Sequence, residues 1–309
     1  MTRWNLAATL LLLSAAATRH EGATEGTVQV GEVGIYYRTV GEGEPFVVLH
    51  GGPGMYHDEL YPFFLDFARS HQIIFYDQRG NGRSPLENVD ASVFSVDLLV
   101  EDLEALRTSL DLGKLNIIGH SWGGLLAMYY ATAYPENVDR LITVSSAPVN
   151  SDLLVKCYMR LIDMLPAGDW ERLQRIYESA EYLDGDPAAH NEAMRISEGA
   201  TFYDKSWIDP YMEAAAFDQA KAKNAVALAD LAREMKLNIT VQEHLDRIQC
   251  DVLIVQGRED FVVPESAELA AELIAGAEIA WIDECGHYPH VEAADRFFAV
   301  LEDFIERTR

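Results

Sequence analysis

Residues 116–128 read NIIGHSWGGLLAM, an apolar pair running into Gly-His-Ser-Trp-Gly-Gly and out again through Leu125-Leu126-Ala127-Met128. Short apolar runs ending in glycine read as buried strands, and a longer apolar stretch reads as helix. The six residues between suit neither element, so Ser121 falls on a sharp strand-to-helix turn. The same rhythm extends in both directions. TVQV, GIYYRTV, FVVLHGG, QIIFYDQRG and LNIIGHS precede the turn or enter it, and RLITVSSAP, DVLIVQG and EIAWIDECGH follow it; each is short and rich in β-branched or aromatic residues. SVDLLVEDLEALRTSL, with Val96, Leu99, Val100, Leu103, Leu106 and Leu110 at helical spacing, predicts an amphipathic helix against a sheet. Further helices are expected from about Pro264 and through RFFAVLEDFIER. Strand alternating with helix means an α/β chain with a mostly parallel sheet.

The alternation breaks between 149 and 247, where the pattern is helical throughout. Because ligand crevices of parallel sheets lie beyond the carboxyl ends of the strands, an insertion after SSAP is expected to roof that crevice. The expected division is therefore a leader over 1–17, a core over 25–148 and 248–309, and a helical cap over 149–247. The leader, MTRWNLAATLLLLSAAATRHEGA over residues 1–23, has an early arginine, an apolar stretch shorter than the roughly 20 residues of a membrane span, and small residues for cleavage near Ala17. It reads as a signal peptide, which predicts export and no membrane attachment after cleavage.

The chain has 309 residues, 49% hydrophobic, enough for a sizeable core. Its 24 basic and 50 acidic residues leave a formal charge of -26, which repels phosphate backbones and anionic bilayers and excludes nucleic acid as a partner. Cys157, Cys250 and Cys285 form neither a disulfide framework nor a zinc set and read as buried small hydrophobes, although export would permit one bridge. No cofactor or metal is called for, and the oligomeric state is left open.

A serine hydroxyl becomes a nucleophile only when a base takes its proton and a third group orients that base. Downstream, IVQGRED places Asp260 in a loop after one strand and IDECGHYP places His287 in a loop after the next. Glu259 competes with Asp260; Asp251 opens its strand and lies at the wrong end. His120 and His290 compete with His287, but the first sits inside the turn and the second follows Pro289. The oxyanion needs two donors. One is the backbone N–H of Trp122, and the other comes from His50-Gly51-Gly52-Pro53-Gly54, with Gly52 assigned and Gly51 its near alternative. Asp77 and Arg79 in YDQRGNGRS read as a structural ion pair fixing a glycine-rich loop.

Together HGGPG, YDQRGNGRS, GHSWGG, VQGRED and CGHYP resemble the α/β-hydrolases, and within them the proline iminopeptidases (prolyl aminopeptidases). The resemblance spans almost the whole chain after the leader. It implies a central, mostly parallel sheet with an inserted helical cap, and a serine hydrolase that releases an N-terminal residue, proline favoured, from a small peptide. It further implies a glutamate in the cap that holds the substrate amine. RISEGATFY aligns Glu198 with that glutamate, with Ser197 where the family usually has tryptophan, and Glu234 in LAREMKL is the candidate for a second cap carboxylate. Other small acyl substrates keep the same triad in use: a carboxylic-ester or lactone hydrolase is the alternative, and a non-catalytic binding protein is a third.

Overall fold

The computed structural model describes residues 23–309; the expected leader over 1–17 lies outside them. Strands β1 (Thr24–Val30), β2 (Val33–Val40), β3 (Glu44–Leu49), β4 (His71–Tyr76), β5 (Leu115–His120), β6 (Val138–Val144), β7 (Asp251–Gly257) and β8 (Glu278–Ile282) form one sheet in the order β1-β2-β4-β3-β5-β6-β7-β8. The first two join antiparallel, and every pairing from β4 to β8 is parallel, as the alternation of strand and helix predicts. In register, Leu49 lies opposite Gly119 and Gly119 opposite Thr143. The loops leaving β3, β5, β7 and β8 therefore open at one sheet edge, and these are the loops that carry His50, Ser121, Asp260 and His287.

Strand period two divides the core. Val47, Leu49 and Ile117 point to one face, against Leu99, Leu103 and Leu106 of α1 (Val96–Ser109) and Leu125 and Leu126 of α2 (Trp122–Ala133). Phe46, Val48 and Ile118 point to the other, against Phe297, Leu301 and Phe304 of the C-terminal helix Ala294–Arg307. Helix α1 starts where Ser95 caps it, its side chain accepting from the Leu98 N–H at 3.3 Å, a contact worth about 1 kcal/mol.

Between β6 and β7 the described chain is helical: α3 (Ser151–Met164), α4 (Asp169–Tyr177), α5 (Ala180–Leu183), α6 (Pro187–Thr201), α7 (Ile208–Ala215) and α8 (Gln219–Leu237), followed by the 3-10 turns of Val241–Arg247. Side chains of α3, α4, α6 and α8 form one wall of a cavity of about 610 Å³, and the loops at the sheet edge form the other.

Two expectations are corrected here. Asp77 does not pair with Arg79: it accepts from both the backbone N–H and the ring Nδ1 of His57, at 2.9 and 2.8 Å, and from the Arg83 N–H at 2.7 Å. Arg79 reaches the other way, to both carboxylate oxygens of Asp102 on α1, in a pair whose loss of one partner would cost about 3–5 kcal/mol. Both residues lie beyond the end of β4 at Tyr76, where the alternation that would put side chains two apart on one face no longer holds. Among the cysteines, Cys157 and Cys285 are buried but Cys250 is only half-buried, and all three are free thiols.

Candidate active site

Ser121 occupies the junction of β5 and α2 at φ 53° and ψ −120°, a conformation a side-chain-bearing residue adopts only under constraint. The constraint is visible on both sides: the Ser121 N–H donates to Val144 O and its carbonyl accepts from the Ala147 N–H, each at 2.9 Å. The flanking glycines are steric necessities. A Cβ on Gly119 would strike the backbone of Gly123 and Gly124, and one on Gly123 would strike the Leu49 and His50 carbonyls. The turn is thus a nucleophile elbow, with the serine lining the cavity.

His287 lines the same cavity, fixed through its backbone N–H to Thr201 O at 3.0 Å. Its Nδ1 stands 2.9 and 3.1 Å from the two oxygens of Asp260, which also accept from the Val262 N–H and the Gln256 amide. Nδ1–H therefore donates to Asp260, leaving the lone pair on Nε2. Burial alone would lower the His287 pKa, but the Asp260 carboxylate, with Glu198 and Glu59 beyond, outweighs it and holds the imidazole above its usual range. Glu259, the competing acid, accepts from the Cys285 N–H at 3.0 Å, whereas the carboxylate at His287 Nδ1 is that of Asp260. Neither competing histidine is placed as a base: His290 is buried among Phe63, Phe64 and Phe297, and His120 donates from Nε2 to the His287 carbonyl at 3.0 Å.

The glycine loop is held from three directions. Gly51 gives its N–H to Glu59 Oε1 at 2.6 Å, Gly54 gives its N–H to Asn81 at 2.7 Å, and the Gln78 amide donates to His50 O at 2.8 Å. With the Gly51 donor committed to Glu59, Gly52 is the residue of the pair whose N–H is left for an oxyanion; its φ of +111° turns the peptide in a way glycine alone tolerates. Gln78 also accepts from the Trp122 indole at 3.0 Å, so one side chain ties the glycine loop to the elbow. Replacing Gln78 by alanine is expected to lower kcat by about 10²-fold with KM much less affected, because the glycine loop and the elbow lose their common brace. Steady-state kinetics beside a thermal melt check this; a variant of full kcat overturns it.

Of the two expected cap glutamates, one reaches the cavity. Glu198 on α6 lines it and accepts from the Tyr288 hydroxyl at 2.5 Å. Thr201, three residues on, is the residue whose carbonyl receives the His287 N–H, so SEGAT is stitched to the histidine loop. Glu234 is corrected: it is exposed and stands outside the cavity, where α8 instead presents Ala225, Ala229, Ala232, Arg233 and Lys236. That row repeats at helical spacing, and Glu234 falls off its phase. In its place the sequence reading missed Glu59, a fully buried carboxyl in the cavity eight residues after Gly51. Nothing in MYHDELY distinguishes Glu59 from a solvated loop acid. Among the described residues no cluster of three or more His, Cys, Asp or Glu side chains is arranged to hold a metal ion.

A nucleophile elbow on a mostly parallel sheet, sharing one cavity with a histidine that is paired to a carboxylate from the loops after β7 and β8, defines an α/β hydrolase. The chain belongs to the alpha/beta hydrolase fold family, which matches residues 44–294. It is similar to a proline iminopeptidase of Lactobacillus helveticus, 30% identical over 279 residues that cover 88% of this chain and 94% of the relative. Among solved structures it is similar to VinJ, with a TM-score of 0.72 and 25% identity over 93% of this chain and 99% of that one. A meta-cleavage product hydrolase of Pseudomonas fluorescens IP01 (CumD) shares the fold, with a TM-score of 0.68 and 24% identity over 92% and 98% of the two chains.

Proposed function

We propose that this protein is a serine aminopeptidase that releases the N-terminal residue, proline favoured, from short peptides through an acyl-enzyme. Ser121 Oγ attacks the first carbonyl carbon while His287 Nε2 takes its proton, and Asp260 stabilises the imidazolium that results. The N–H groups of Gly52 and Trp122 receive the oxyanion. When the C–N bond breaks, His287 returns the proton to the leaving amine. Water then attacks the acyl-enzyme with His287 again as base, and the free amino acid departs.

The observation that carries the peptidase reading is Glu198, a carboxyl on the cavity wall that enters no ion pair among the described residues, in the cavity that holds Ser121. A protonated substrate amine is its natural counter-charge, and such charge-assisted contacts are the strong ones. The similarity to proline iminopeptidases supports the same reading. Ser197, where the family usually has tryptophan, also lines the cavity, which leaves room for residues bulkier than proline. With proline p-nitroanilide, Glu198→Gln is expected to lower kcat/KM by about 10- to 100-fold. Equal activity of the two proteins removes the amine clamp, and efficient cleavage of simple esters with no cleavage of aminoacyl anilides favours the ester or lactone hydrolase instead.

The reading includes export, on the strength of the leader composition. N-terminal sequencing of the mature protein tests it: a chain beginning near residue 18 supports cleavage, and one beginning at Met1 rejects it.

A further inference from the structure

Two carboxyls face the cavity beside Ser121, and among the described residues neither has a cation against it. Glu59 stands on the 3-10 turn His57–Glu59 and is 2% exposed. Its Oε1 accepts from the Gly51 N–H at 2.6 Å and its Oε2 from the Tyr211 hydroxyl at 2.9 Å. Glu198 accepts from Tyr288, whose ring packs against that of Tyr211 with centroids 4.6 Å apart. Two neighbouring tyrosines thus join one carboxyl from the catalytic core to one from the helical segment. The cations bordering the cavity, Arg233 and Lys236 on α8, form no ion pair with either, and Arg233 is paired with Asp230.

We propose that Glu59 is the second carboxylate of the amine site, so that the α-ammonium of the departing residue sits between Glu59 and Glu198. The proposal rests on the aminopeptidase reading and adds the residue that Glu234 fails to supply. The chemistry fixes where such a group must stand. The α-nitrogen of an N-terminal residue is one carbon removed from the carbonyl that Ser121 attacks, so its partner has to lie next to the serine. Glu59 does: a point one Cβ bond out from Gly51 is 3.2 Å from Glu59 Oε1 and 3.5 Å from Ser121 Cβ. Burial pushes the Glu59 carboxyl up to about 7, against the two hydrogen bonds that favour its charge. A buried carboxylate of this kind gains most from an arriving cation. Because the same carboxyl anchors Gly51, the residue before the oxyanion donor Gly52, the ammonium also firms the loop on which the reaction depends. Amine recognition is therefore expected to register in kcat as well as in KM.

Alanine methyl ester and methyl propionate share one carbon skeleton and differ by the ammonium. The test is the ratio of their kcat/KM values, followed by base titration at a fixed pH in wild type, Glu59→Gln and Tyr211→Phe. The wild type is expected to prefer the amino ester, Glu59→Gln to lower the ratio by about 10- to 100-fold, and Tyr211→Phe by about 3- to 10-fold. A merely structural Glu59 would depress both esters alike and leave the ratio in place, which overturns the proposal while the aminopeptidase reading stands. A wild type without preference for the amino ester overturns that reading together with it. Should Glu59→Gln fail to fold, Tyr211→Phe decides, since an unchanged ratio there also removes Glu59 from the amine site.

Discussion

Ser121→Ala is expected to lower kcat on proline p-nitroanilide by on the order of 10⁶-fold, the loss seen when a triad nucleophile is removed and only binding and the oxyanion donors remain. The variant keeps a Cβ at φ 53°, so the backbone constraint at the elbow is unchanged and the melting temperature should stay close to that of the wild type. A fluorophosphonate separates chemistry from folding. It should label the wild type at Ser121 and leave the variant unlabelled; a labelled variant, or one within a hundredfold of wild-type activity, would place the nucleophile elsewhere.

Asp260→Asn is the second large effect, with kcat expected to fall by about 10⁴-fold. The carboxylate accepts Nδ1–H at 2.9 Å, which keeps the lone pair of His287 on Nε2. An asparagine amide can donate to Nδ1 instead and so stabilise the wrong tautomer. The pH profile carries the same information with a definite sign. His287 must be neutral to accept a proton, and its pKa is raised, so kcat/KM of the wild type falls as pH drops through that raised value. Without Asp260, burial acts against less opposition and the acid limb should move to lower pH. Glu259→Gln, whose carboxyl holds the Cys285 N–H, should change kcat/KM by less than about threefold. The reverse order of effects in the two variants would exchange the roles of the neighbouring acids.

The strands and principal helices of the core were readable because their signals are local. Period-two and period-3.6 patterns lie within single segments, and glycine marks where each strand must turn. The elbow, the glycine loop and the two later loops could be named for the same reason: a parallel sheet carries all of its strand ends to one edge, so order along the chain implies proximity in space. Partnership was less readable. Asp77 and Arg79 look like a pair in YDQRGNGRS, yet each finds its partner elsewhere, in His57 and Asp102. Gln78 lies within the same stretch, and its tie between His50 and Trp122 joins residues 28 and 44 positions away.

By itself, then, the sequence determined an α/β sheet with a serine at its sharpest turn and a histidine and acid from later loops at the same edge, because those features follow from hydrophobic period and strand direction. Only the tertiary structure decided which acid faces His287, which glycine N–H is already committed, and that the second carboxyl in the cavity is Glu59 rather than Glu234. These depend on the rotational phase of a helix and on side chains meeting across the sheet edge, and neither quantity is written in any local stretch of the chain.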